Sequence, residues 1–271
     1  MDNIMPNVKE IYEFMKTIAP EEMALDTDNV GFLVGTGETE VSKILVCLDI
    51  TNDVITEALE IGAKLIVAHH PLFFTLKSVT DSDITGSKIV RLLSGGISAI
   101  CMHTNLDAVG GGVNDALAIA VGIADDNRKA EPLPGHRCLD TGEIVSLGRV
   151  GNLIMPCSVP DYLARLKNVL NVNGLRYHDA GRDVYRVAIS SGSGTAEWVN
   201  ALKSNCDTFV TADIKYHLFL EAKERGINLI DAGHFSTENL VTDVLLGKLQ
   251  AAFPTVESVE SKVQNQTVDF F

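Results

Sequence analysis

Leu65-Ile66-Val67-Ala68-His69-His70-Pro71-Leu72-Phe73-Phe74 opens with four apolar residues and continues into paired histidines followed by proline. A short, unbroken apolar run closed by turn chemistry predicts a strand buried on both faces, as in a parallel sheet. Two neighbours repeat the pattern: Ile44-Leu45-Val46-Cys47-Leu48 before it and Ile97–Met102 after it. Helical stretches separate them. Thr51 or Asn52 can cap a helix that closes at Gly62, and a second helix near 86–94 ends at Gly95-Gly96. Gly110-Gly111-Gly112 leads into a third, through Ala116, Leu117, Ala120 and Val121. Strand alternating with helix at this spacing predicts an α/β fold with mostly parallel sheets. Upstream, Ile11, Phe14, Met15 and Ile18 form the stripe of an amphipathic helix ended by Pro20. Asp28–Gly35 reads as an edge strand or turn.

Residues 124–142 break the rhythm. Asp125-Asp126-Asn127-Arg128-Lys129 and Pro132-Leu133-Pro134-Gly135 are polar and rich in turn formers, so a domain crossing is expected there. A second α/β segment follows. One or two strands lie in Ile144–Leu153, and Ser158-Val159-Pro160-Asp161 starts a helix running to about Leu170. Val184–Ile189 and Thr208–Thr211 are strands around a helix at Glu197–Leu202. Residues 214–225 are helical up to Gly226, Ile227–Ile230 is a strand, one long helix runs from Ser236 to about Phe253, and Val256–Val263 is a last strand. The expected domains are 1–127 with 232–271, and 128–231.

The 271 residues are 46% hydrophobic and 21% charged, ordinary for a globular chain. Acids outnumber bases 36 to 22, and the net charge of −14 disfavours binding to phosphate backbones. The cysteines, Cys47, Cys101, Cys138, Cys157 and Cys206, are scattered and form no CxxC pair, which predicts reduced thiols. Early acids (Asp2, Glu10, Glu13) replace any basic-then-apolar leader pattern, and no apolar run approaches the ~20 residues of a membrane span. A cytoplasmic location is expected.

Functional groups of open parallel sheets gather at the carboxyl ends of strands. His69-His70, His103-Thr104-Asn105-Leu106-Asp107 and Asp231-Ala232-Gly233-His234-Phe235-Ser236-Thr237-Glu238 all follow predicted strands. Consecutive residues of extended backbone point to opposite sides, and Pro71 favours that form at His70. The pair therefore suits two neighbouring ions better than one. Asp107 and Glu238 supply carboxylates; Glu238, near a helix start that Ser236 or Thr237 could cap, has two oxygens able to bridge. Nitrogen and oxygen donors without sulfur suit zinc, iron, manganese or cobalt. His103 is either a ligand or a partner that orients one, the second being favoured. Ser190-Ser191-Gly192-Ser193-Gly194 joins a strand to a helix, so the N–H groups of Gly192, Ser193 and Gly194 could hold an anion; a plain tight turn is the alternative. On a helix, Asp213 and His217 would share a face away from Lys215, and Lys215 and His217 could bind substrate or move protons; capping and solvation are the alternative.

The pieces DNVGFLVG (28–35), VAHHPLFF (67–74), HTNLDAVGGGVND (103–115), SGSG (191–194), TADIKYH (211–217) and DAGHFSTE (231–238) occur together and span nearly the whole chain. In these the chain resembles the GTP cyclohydrolase I type 2 homologues, also called Nif-three-like proteins. It departs in having Thr27 where a tryptophan often precedes DNVG, a packing difference, and in lacking the large middle insertion of longer members. The resemblance implies two interlocked α/β domains and two divalent metal ions. One ion would take His69 and Asp107, the other His70 and His234, with Glu238 bridging. It also implies a ring-shaped homohexamer. The function so implied is a metal-dependent hydrolase that activates water against a nucleotide or related small molecule. With GTP, attack would fall on the imidazole-ring carbon of the purine, and the SGSG turn or Lys215 would hold phosphate. The alternative is a non-enzymatic metal-binding or scaffold protein; a nucleic-acid clamp fits the acidity badly.

Overall fold

The computed structural model describes residues 5–135, 137–138 and 144–270. In chain order the elements are α1 (Val8–Ile18), β1 (Gly31–Val34), β2 (Lys43–Cys47), α2 (Asn52–Glu60), β3 (Leu65–Ala68), α3 (Ile84–Ser94), β4 (Ser98–Cys101), α4 (Thr104–Ala108) and α5 (Val113–Val121). There follow β5 (Glu131–Pro132), β6 (Arg137–Cys138), β7 (Ile144–Val145), β8 (Arg149–Cys157), α6 (Val159–Val169), β9 (Arg176–His178), β10 (Val184–Ile189) and α7 (Trp198–Lys203). The rest are β11 (Thr208–Thr211), α8 (Tyr216–Arg225), β12 (Asn228–Asp231), α9 (His234–Glu238), α10 (Leu240–Ala252) and β13 (Glu257–Glu260).

The chain divides by packing into two compact units: Met1–Leu106 with Val241–Asn265, and Asp107–Leu240 with Gln266–Phe271. The turn-rich stretch 124–142 is not where packing divides the chain. Leu117, Ala118 and Val121 of α5 are already part of the second unit's core, against α6 and β10.

The first unit carries a five-stranded sheet, order β1-β4-β3-β2-β13, in which only β1 runs antiparallel to its neighbour. β3 and β4 are buried at every residue, and β2 at all but its first, as continuous apolar runs demand. Leu45, Cys47, Ile66, Ala68, Ala99 and Cys101 point to one face and pack on Val54, Ile55 and Ala58 of α2 and Ile89 and Leu92 of α3. Caps fix the helix starts: the Asn7 and Glu10 side chains cap α1 reciprocally, and Thr51 and Asp83 accept N–H bonds at α2 and α3.

The second unit has a six-stranded sheet, order β5-β8-β10-β11-β12-β9. Its centre, β10-β11-β12, is parallel, and β8, β5 and β9 flank it antiparallel. Strict alternation sorts its side chains. Val187, Ile189, Val210 and Ile230 pack with α5 and α6, while Ala188, Phe209 and Leu229 pack on the other face with Trp198 of α7 and Ala222 of α8. The expected single helix from Ser236 is two: α9 ends at Glu238, the Asn239 N–H returns to the Phe235 carbonyl, and α10 begins at Leu240. Among the described residues no helix is long and apolar enough to cross a membrane.

Candidate metal centre

In the first unit, β3 stops at Ala68 and the chain bends at His69 and His70. The bend changes what adjacency means. The two rings do not diverge as extended backbone would make them; their centroids lie 5.0 Å apart, tilted by 42°. His103, just past β4, completes a triangle at 5.3 Å from His69 and 5.6 Å from His70. One nitrogen of each ring falls within 4.8 Å of the others.

Each ring is held from behind through Nδ1. His69 Nδ1 donates to the Met102 carbonyl at 2.8 Å, His70 Nδ1 to Asp49 Oδ1 at 2.8 Å, and His103 Nδ1 to both Asp28 oxygens at 2.9 Å. Carbonyl and carboxylate oxygens only accept, so Nδ1 carries the proton and Nε2 is the atom each ring can offer to an ion. Asp28 is itself fixed by the Thr104 N–H and hydroxyl and by the Asn29 N–H. Burial alone would raise its carboxyl, but His103, Thr104 and Asn29 outweigh that and hold it well below the usual carboxylate range. Asn29 also donates to the Phe73 carbonyl, and the largely exposed Phe74 sets its ring 6.0 Å from His103. The DNVG stretch thus braces both the third histidine and the segment after His70.

The second unit presents the carboxylates. Asp107 is buried on α4; Asn114 donates to its carbonyl and also accepts the Ser191 N–H, and the Ser191 hydroxyl lies 3.5 Å from Asp107 Oδ1. Buried Arg149 donates to the Ala108 and Val109 carbonyls just beyond, and to Asp115. His234 opens α9 with Nδ1 2.7 Å from Asp213 Oδ2 and Nε2 3.0 Å from Glu238 Oε2. The Glu238 hydrogen bond, against the opposing pull of burial and with help from Asp213, pushes the His234 imidazole up to about 9.

Gly192 lies close against the buried Glu238 carboxylate. A β-carbon on Gly192 (φ +53°) would collide with Glu238 Oε1 and come within 3.1 Å of His234 Nε2. The SGSG turn is therefore a backbone wall laid against the His234–Glu238 pair. Its Gly192 N–H donates to Thr237 Oγ1 and its Gly194 N–H to the Gly192 carbonyl. Thr237 lies within α9, not at its cap; Gly233 (φ +85°) holds that position. Asp213 is likewise outside the helix expected to pair it with His217. It sits in the left-handed region (φ +54°) ahead of α8 and turns to His234, leaving Lys215 and His217 exposed at the head of α8.

The sequence reading missed two of the acids behind the rings, Asp28 and Asp49, and paired the third, Asp213, with His217 where the structure pairs it with His234. The available signal was position: Asp49 and Asp213 each follow a buried strand end. The donors present fit a divalent ion of the zinc, iron, manganese or cobalt kind: imidazole nitrogen and carboxylate oxygen in pre-set orientations. Sulfur is not among them; the four described cysteines, Cys47, Cys101, Cys157 and Cys206, are free, and burial pushes the Cys101 thiol up to about 12.

Comparison with known proteins agrees with the motifs. A Clostridium perfringens protein named GTP cyclohydrolase 1 type 2 homolog is 34% identical over 270 residues, 97% of this chain and 99% of its own. The Clostridium acetobutylicum protein of that name is 34% identical over 252 residues, 90% of each chain. A Staphylococcus aureus hypothetical protein of known crystal structure superposes with a TM-score of 0.88 at 26% identity, covering 98% of this chain and 100% of that one. Reduced HcgD from Methanocaldococcus jannaschii superposes with a TM-score of 0.77 at 27% identity, covering 94% and 97%. The family model described as Duf34/NIF3 (NGG1p interacting factor 3) matches residues 6–267, and with relatives this similar along their whole lengths the chain belongs to that family.

Proposed function

We propose that the protein is a dinuclear-metal-dependent hydrolase acting on a small molecule, a nucleotide or a relative of one. One ion would be held by His69 and Asp107, the other by His70 and His234, with Glu238 able to serve both. The observation that carries the reading is the orientation of four histidines, each with Nδ1 tied to an oxygen so that Nε2 is the donor. The shared name of the relatives supports the substrate class.

Bound ions would supply Lewis acidity and an activated water at neutral pH. This chain's own residues supply the rest. Asp49 and Asp213 hold His70 and His234 in register, and the Gly192 backbone fixes where Glu238 can lie. His103, backed by an anionic Asp28, can take a proton at Nε2 and pass it on. Lys215 and His217, exposed ahead of and on α8, would meet an anionic substrate, and the Gly192–Gly194 turn would approach it with backbone alone. We further propose a homohexamer in the cytoplasm; free thiols suit that compartment, and light scattering tests the assembly. The function is tested by assaying GTP and a nucleotide panel with protein loaded with defined metals. Turnover should vanish in His69→Ala/Glu238→Ala. Turnover unchanged in that variant overturns the catalytic assignment, and tight metal retention with no turnover across the panel favours a metal-binding or scaffold role.

A further inference from the structure

A cleft of about 570 Å³ opens in the second unit between the end of α5, the turn after it, β8 and α6, and it shares no residue with the metal centre. That size takes a small molecule. Strand β8 builds the outer wall. Val184 pairs with Cys157 and Arg186 with Asn152, so β8 spends four residues, 153–156, where β10 spends one. The bulge turns Ile154 and Met155 outward, 78% and 72% exposed, and Ile119 of α5, 58% exposed, lines the same cleft. Leu153 and Tyr162, both buried, lie beneath. The polar groups are few and unequal. Arg128 is engaged: it donates to Asp125 Oδ2 at 2.7 Å and to the Asn152 and Gly122 carbonyls. Asp161 accepts the Ser158 hydroxyl at 2.6 Å and sits in the first turn of α6, where a negative charge is favoured. Arg165 differs. Asp161, one turn back on the same helix, is its ordinary partner, yet among the described residues the Arg165 guanidinium meets no acceptor. It lies instead against Gly122, the left-handed end of α5 (φ +90°), where a β-carbon would collide with Cζ and both Nη atoms. A glycine thus seats an uncommitted cation at the edge of an apolar cleft.

We propose that this cleft binds an amphipathic carboxylate, its anionic head on Arg165 and its acyl or aryl body laid between Ile119, Ile154 and Met155. A carboxylate matches the guanidinium fork with two parallel N–H···O bonds, which a point charge does not require. The body covers apolar side chains that otherwise face water. Arg128 and Gly122 are positioning groups: the first holds the turn after α5 closed on Asp125, the second leaves room for the Arg165 guanidinium. The site is independent of the metal centre and of the proposed hydrolysis, and stands whether or not that reading holds.

The test uses the full chain, anilinonaphthalene sulfonate and uncharged phenylnaphthylamine as fluorescent probes, and decanoate below its micelle concentration as the competitor. Wild type should bind both probes, and decanoate should displace the sulfonate. Arg165→Met keeps the aliphatic stem and removes the fork, so decanoate should bind at least ~10-fold more weakly while the uncharged probe binds as before. Arg165→Glu, at the same exposed position, serves as the second variant and should abolish decanoate binding. Ile154→Ser should weaken both probes. The proposal is overturned if wild type binds neither the sulfonate nor decanoate, or if Arg165→Met leaves the decanoate affinity unchanged. Decanoate binding that falls in His69→Ala but not in Arg165→Met places the anion at the metal centre and overturns it equally.

Discussion

Replacing Gly192 by alanine probes the wall behind Glu238 directly. Two costs add. The residue sits at φ +53°, where an L side chain costs ~1–2 kcal/mol. The new methyl would also fall well inside contact with Glu238 Oε1, so a buried carboxylate must retreat by about an ångström. Overpacking of that kind costs ~1–3 kcal/mol. The expected loss is therefore ~2–5 kcal/mol in urea denaturation of the metal-free protein. Moving Glu238 also disturbs its pairing with His234, so zinc affinity measured against a competing chelator should fall ~10–100-fold. Gly181→Ala is the control. Gly181 has φ +73° but nothing within 4 Å of its would-be β-carbon, so it should show the ~1–2 kcal/mol backbone cost alone and keep its zinc affinity. If Gly192→Ala matches Gly181→Ala in both measurements, the turn is not a wall against Glu238 and the account of the second unit's donors is wrong.

Three further outcomes follow from the same geometry. Asp28 is held below its unfolded value of 3.8, so its stabilisation is complete above that value and fades as pH falls through the folded one; Asp28→Asn should lose most near neutrality and converge on wild type in urea midpoints taken toward about pH 2. His234 is raised from 6.5 to about 9, so its contribution is complete below 6.5 and vanishes as pH rises past about 9. The urea-midpoint gap between metal-free wild type and His234→Gln should accordingly be widest near pH 6 and close by about pH 10. Arg149→Met removes the buried guanidinium that ties Asp115 to the Ala108, Val109, Ser146 and Gly148 carbonyls, and should cost ~3–5 kcal/mol in chemical denaturation.

What the sequence made legible, and what it hid, divides along physical lines. Strands β3, β10 and β11 were readable to the residue, because burial on both faces leaves continuous apolar runs with sharp ends. Caps at Thr51 and Ser158 and the left-handed Gly226 were readable because each answers a local backbone need. The short β9 was not. Its residues are mostly exposed, and the strand exists only because β12 offers an edge some fifty residues along the chain. The break between α9 and α10 falls in the polar stretch Ser236-Thr237-Glu238-Asn239, where Thr237 gives its hydroxyl to the Gly233 and His234 carbonyls at the head of the first helix, and no glycine or proline marks it. The site obeys the same rule. Histidines at strand ends are conspicuous, since the chemistry of a divalent ion admits few residue types. Their supports are not, since any oxygen will serve. Asp28 reaches His103 across 75 residues, and a main-chain carbonyl, that of Met102, does for His69 what a carboxylate does for His70. A backbone oxygen leaves no trace in residue type, so the orientation of the donors, which decides whether they can hold an ion, becomes visible only once the strands are side by side.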